Sequence, residues 1–163
     1  MKVGFFLGSD SDFPIVEDAI HLMKRFAVEF GLEVTSAHRS PERTKKLMRD
    51  YEKNGVAVFI AVAGKAAHLA GVVASHTTRP VIGVPVGGSD LGGLDALLST
   101  AQMPKGIPVA CMGIGKSGAS NAALLAIQIL ALTDPSLQEK LNDYRSQMAK
   151  NVEAASQKIQ EKL

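Results

Sequence analysis

The sequence predicts an α/β fold, a flavodoxin-like three-layer sandwich around a five-stranded parallel sheet of order 2-1-3-4-5, with a long C-terminal helix. Two observations carry this. Short apolar runs, the length of buried strands, alternate with longer stretches whose apolar residues recur at helical spacing. Such alternation implies right-handed βαβ crossovers, and so strands that run parallel. Five strands then favour an order in which the second lies outside the first and the chain reverses at the third.

Val3 to Leu7 reads as the first strand. Pro14 to Phe30 places Ile15, Ala19, Leu22, Met23 and Phe26 on one helical face, with Ser11 or Asp12 as cap and Gly31 as stop. Leu32 to Thr35 is the second strand. Ser40 and Pro41 open a helix that runs to about Asn54 and ends at Gly55. The strongly apolar Val56 to Val62 is the third strand, and Ala66 to about Thr77 a helix rich in small residues. Val81 to Val84 forms the fourth strand. The Gly-rich stretch Gly87 to Gly93 leads into a short helix ending near Ala101. Ile107 to Met112 is the fifth strand, Gly118 to Leu132 an apolar helix, and Pro135 to Leu163 a long polar one with Leu137, Leu141, Tyr144 and Met148 on one face. The expected organisation is one domain over residues 1–163, with 134–163 as a helical arm packed on its own domain or on a neighbouring subunit.

Composition narrows the function. A net charge of +2 is too small to point to nucleic acid, and the absence of Trp argues against a base-stacking platform. The single Cys111 suits a reducing cytoplasm. No run is long enough to span a membrane, and the apolar start is too short for a signal peptide, so a cytoplasmic location is expected.

In the order 2-1-3, ligands bind beyond the carboxyl ends of the strands, where the first and third meet. The loops Gly8-Ser9-Asp10-Ser11-Asp12, Ser36-Ala37-His38-Arg39-Ser40-Pro41 and Ala63-Gly64-Lys65-Ala66-Ala67-His68 then share one pocket. Free N–H groups at the first loop favour an anion, and Ser9 adds a donor. A carboxylate only accepts hydrogen bonds, so Asp10 and Asp12 serve either as turn and capping residues or as acceptors for ribose hydroxyls. Arg39 suits phosphate, and His38 beside it can take and return a proton near neutral pH. His68 sits among small residues, either as a packed core group or facing a ligand. His21 and His76 read as structural. Ligand spacing for zinc is lacking, and a Ser9–His38–Asp12 triad has no nucleophile elbow behind it.

These segments resemble the active-site loops of the class I 5-(carboxyamino)imidazole ribonucleotide mutases of purine biosynthesis. Pro80 to Val86, Gln102-Met103-Pro104 with Gly106 to Val109, and Asn121 to Ala126 resemble the same family, so the likeness spans nearly the whole chain. The resemblance implies an isomerase that moves a carboxylate from an exocyclic amine to a ring carbon by decarboxylation and recarboxylation, without metal or nucleotide cofactor. It implies His38 as acid and base, with His68 and the stretch Gly64, Lys65, Ala66, Ala67 and Leu69 around the migrating group. Ser9, Ser11, Asp12, Ser36, Ala37 and Arg39 would hold the nucleotide. It further implies a homo-octamer with sites between subunits, Gln102-Met103-Pro104 approaching from a neighbour, and Gly87 to Gly93 as a lid.

One departure stands in the third loop. The family usually reads Gly-Gly-Ala-Ala-His-Leu-Pro-Gly, where this chain has Gly64-Lys65-Ala66-Ala67-His68-Leu69-Ala70-Gly71. Where that glycine serves a positive φ or a tight backbone approach, a lysine at position 65 is strained, and its ammonium points either to solvent or to the substrate carboxylate. The competing functions are direct carboxylation of aminoimidazole ribonucleotide, a non-catalytic nucleotide-binding module, and action on another carboxylated heterocycle.

Overall fold

The computed structural model describes residues 1–163. Its elements are β1 (Val3–Leu7), a 3-10 turn (Asp10–Asp12), α1 (Phe13–Arg25), β2 (Phe30–Val34), α2 (Pro41–Lys53) and β3 (Val58–Gly64). They continue with α3 (Leu69–Ser75), β4 (Val81–Val86), α4 (Leu94–Ala101), β5 (Ala110–Cys111), α5 (Lys116–Ala131) and α6 (Pro135–Gln160). The sheet has the expected order β2-β1-β3-β4-β5, and every pairing is parallel. Val3 of β1 sits opposite both Phe30 and Val58, so β1 is paired on both edges along its whole length.

The strands are apolar on both faces because both faces are covered. Phe6, Phe59 and Ala61 point to one side, where they pack with Met48 and Tyr51 of α2 and with Leu69, Ala70, Val73 and Ala74 of α3. Alternation sends Phe5, Leu7, Ile60 and Val62, all buried, to the opposite face. Right-handed crossovers place α1 and α5 there, each with a buried stripe: Val16, Ala19 and Met23 on the first, Ala119, Ala122, Ala123 and Ala126 on the second. At Gly83 of β4 an added Cβ would fall 3.0 Å from Val109 Cγ1 and 3.1 Å from Ala70 Cβ, with Thr100 of α4 closer still. That bare backbone is what lets α4 lie close on the sheet.

The third strand runs Val58–Gly64 and not Val56–Val62, the fourth reaches Val86 and the fifth helix starts at Lys116, and three further differences have a clear local cause. The first helix stops at Arg25 instead of running to Phe30: Ala27 adopts a left-handed φ of 57°, and Val28 N–H turns back to Met23 C=O at 2.9 Å. Phe30 keeps helical spacing from Phe26 but serves as the first residue of β2. The third helix starts at Leu69 and not Ala66, because residues 65–68 form a turn in which His68 N–H bonds Ala66 C=O. The fifth strand shrinks to Ala110–Cys111, since Pro108 has no N–H for the ladder.

The chain divides into two compact units, Met1–Ile127 with the whole sheet and Gln128–Leu163 with α6. Asp134 caps α6: the hydroxyl of Ser136 donates to its Oδ1 at 2.7 Å and chiefly holds the carboxyl below the usual range, with the N–H groups of Leu137 and Ser136 adding to it. No helix is long and apolar enough to cross a membrane.

Candidate active site

The loops following β1, β2, β3 and β4 surround a cavity of about 620 Å³ at the carboxyl edge of the sheet. The first loop is built by its own polar side chains. Ser9 Oγ accepts from Ser11 N–H at 3.3 Å, while Asp12 Oδ2 accepts from Ser9 N–H at 3.0 Å. This reciprocal box caps the 3-10 turn. The expected cap of the first helix therefore moves: neither Ser11 nor Asp12 makes a side-chain cap to α1, and Ser9 caps the turn before it. Asp10 does turn work, with Oδ1 accepting from Ser11 N–H and Ser9 Oγ.

Asp12 is 7% exposed yet lines the cavity. Burial pushes its carboxyl above the usual range. The Ser9 amide opposes that rise, Asp10 adds to it, and the Arg39 guanidinium works against it.

The second loop hangs on buried hydroxyls. Thr35 N–H extends the ladder to Leu7 C=O, and Thr35 Oγ1 meets Thr44 Oγ1 of α2 at 2.7 Å. Ser36 Oγ accepts from Arg39 N–H at 3.1 Å and from Arg39 Nε at 3.4 Å. Arg39 Nη2 reaches Gly8 C=O at 3.1 Å and so ties the second loop to the first. Ser40 does not cap α2 with its side chain. Its Oγ accepts from Ser36 N–H and donates to Ser36 C=O, which closes the loop on itself.

The third loop meets the second through two imidazoles. His38 Nε2 and His68 Nδ1 lie 2.7 Å apart, with ring planes at 80°. One proton occupies that bond, so one ring donates and the other accepts. His38 is therefore held by another histidine, and the Ser9–His38–Asp12 triad is not formed: Ser9 and Asp12 are engaged with each other.

Of the residues expected at the site, Ser9, Ser11, Asp12, Ser36, Ala37, His38 and Arg39 line the cavity, as do Gly64, Lys65, Ala66, His68 and Leu69. Ala67 does not; it is 2% exposed. Ala63, the first residue of the third loop, lines the cavity as well, and so does Val86, which the loop motifs did not single out. Val86 follows from topology, since β4 pairs with β3 and ends directly beside Gly64. Gly87, Gly88 and Ser89 complete the wall, and Ser89 Oγ is fastened to Asp95 Oδ1 of α4 at 2.7 Å. No group of three or more His, Cys, Asp or Glu side chains is placed to hold a metal ion.

Comparison with known proteins agrees with this fold. A family model described as AIR carboxylase matches residues 2–151. An N5-carboxyaminoimidazole ribonucleotide mutase of Methanocaldococcus jannaschii is 52% identical over 155 residues, covering 95% of each chain. The protein of that name from Escherichia coli K12 is 47% identical, over 88% of this chain and 85% of its own. Among solved structures, Treponema denticola PurE superposes with a TM-score of 0.84 at 28% identity, covering 92% of both chains.

Proposed function

The chain belongs to the AIR carboxylase family, and from that premise we propose that it acts as an N5-carboxyaminoimidazole ribonucleotide mutase, an isomerase of purine biosynthesis. The observation that carries the site assignment is the meeting of three loops from separate strands around the His38–His68 pair.

In this reading the nucleotide's phosphate lies against Ser9, Ser36 and Arg39, where hydroxyl, guanidinium and loop N–H donors converge. The Asp12 carboxylate accepts from ribose hydroxyls. His38 as imidazolium protonates the exocyclic nitrogen as its carbon–nitrogen bond to the carboxylate breaks, which releases carbon dioxide. The ring carbon then attacks that carbon dioxide, and His38 takes the ring proton. One proton is lent and recovered, as an isomerisation requires. His68 and the backbone from Gly64 to Leu69 hold the migrating carboxylate, and the His68 ring fixes the orientation of His38. Ala66 and Leu69 supply apolar wall that keeps water from the carbon dioxide, and Gly87 to Gly93 closes over it. The working assembly is a cytoplasmic homo-octamer in which Gln102-Met103-Pro104, outside the cavity of its own chain, completes a neighbour's site.

The test is a pair of assays on purified protein. A mutase converts the carboxyamino nucleotide rapidly without added bicarbonate. Reaction only of aminoimidazole ribonucleotide with bicarbonate would instead establish direct carboxylation. His38→Asn is expected to retain nucleotide binding and to lose at least about a hundredfold in turnover. Near-normal turnover would remove His38 from the mechanism.

A further inference from the structure

Only two non-glycine residues in the chain adopt a left-handed backbone, Ala27 with φ 57° and Lys65 with φ 56°. Ala27 turns the chain between α1 and β2, away from the cavity. Lys65 sits on the cavity wall, directly after β3. Any residue with a Cβ is disfavoured in this conformation, which glycine adopts freely. The turn at residues 65–68 therefore works against its own backbone by carrying a lysine, and such outliers concentrate where the side chain serves function.

The surroundings say what that side chain is available for. The cavity's other permanent cation, Arg39, is already engaged with Gly8 C=O and Ser36 Oγ. Lys65 forms no ion pair with any carboxylate of the chain. Arg39 stands at the junction of the first and second loops. Lys65 stands on the third loop, three residues before the histidine whose ring meets His38. The free cation thus belongs to the wall where the chemistry occurs, and Arg39 to the wall suited to phosphate.

We propose that Lys65 is a specificity-determining residue whose ammonium binds the carboxylate of the carboxylated imidazole nucleotide, so that the cavity distinguishes it from the nucleotide without that group. The inference rests on the functional reading above. It separates carboxylate recognition, assigned to Lys65, from proton transfer, assigned to His38.

Calorimetric titration with two ligands tests it without requiring turnover: 4-carboxy-5-aminoimidazole ribonucleotide, and aminoimidazole ribonucleotide, which lacks the carboxylate. Lys65→Met keeps the length and removes the charge. It is expected to weaken binding of the carboxylated nucleotide about tenfold and to leave the other within about twofold. Lys65→Arg should restore most of the difference, and Lys65→Gly, which relaxes the backbone, should show the same selective loss as Lys65→Met. Equal weakening of both ligands, or of neither, overturns the proposal while leaving the mutase reading intact. Failure of the unmodified protein to bind either nucleotide overturns the functional reading and this inference with it.

Discussion

Asp12 is a carboxylate kept almost entirely from water, with Asp10 two residues away and one amide as its settled donor. Its pKa is raised in the folded state, chiefly by burial. Such a group favours folding most while protonated: the contribution is complete below the ordinary value of 3.8 and is lost as pH rises through the folded value. Ionising Asp12 in the folded chain therefore works against the fold. Asp12→Asn keeps an oxygen to accept from Ser9 N–H and removes that charge. Its melting temperature is expected to exceed that of the unmodified protein at pH 7, the gap closing in acid. Nucleotide affinity should fall about tenfold, as a charged acceptor for hydroxyls is replaced by a neutral one. An Asn variant no more stable at pH 7 would mean that burial does not dominate at this position. Asp12 and Lys65 are alike in this respect, each tolerated by the fold in a place where a neutral or smaller residue would be easier.

At the scale of elements, the close seating of α4 on β4 depends on Gly83. Gly83→Val is expected to destabilise the protein by about 1–3 kcal/mol, measured by denaturant unfolding, because its side chain would drive into Val109, Ala70 and Thr100. Unchanged stability would show that α4 can shift without loss. The first four strands were legible in the sequence because strands buried on both faces read as unbroken apolar runs, and the order 2-1-3-4-5 was favoured by their number in an alternating βα chain. The helix ends were less legible. Nothing in the periodicity of Phe26 and Phe30 reveals that Ala27 reverses the chain, since a left-handed alanine carries no signature of the kind a glycine does. The same limit hid the late start of α3 behind Ala66. In the site, residue types that carry chemistry were visible from the loops that follow strands. The His38–His68 bond was not, as it joins positions thirty residues apart through side-chain rotamers. Val86 was missed for another reason: its part in the wall comes from strand adjacency, and its own side chain is chemically mute.

For the whole molecule, the exposed apolar surface bears on assembly. Leu91, Leu94 and Leu98 are 66%, 52% and 48% exposed along the approach to α4 and its outer face, an arrangement suited to contact with further copies. If the chain is an octamer, light scattering should give an eight-chain mass, and Leu98→Glu should shift it to smaller species. An unmodified protein that runs as a monomer would refute the octamer. The central place of β1 has a consequence beyond architecture. The cavity needs β2 on one edge of β1 and β3 on the other, so no fragment holding a single ladder owns a binding site. The nucleotide is thereby a ligand of the assembled sheet alone. By mass action, saturating it a hundredfold above its dissociation constant stabilises the folded chain by about 2.7 kcal/mol. In a cell, the supply of this metabolite therefore influences how much of the enzyme survives proteolysis, coupling the abundance of the catalyst to the presence of its substrate.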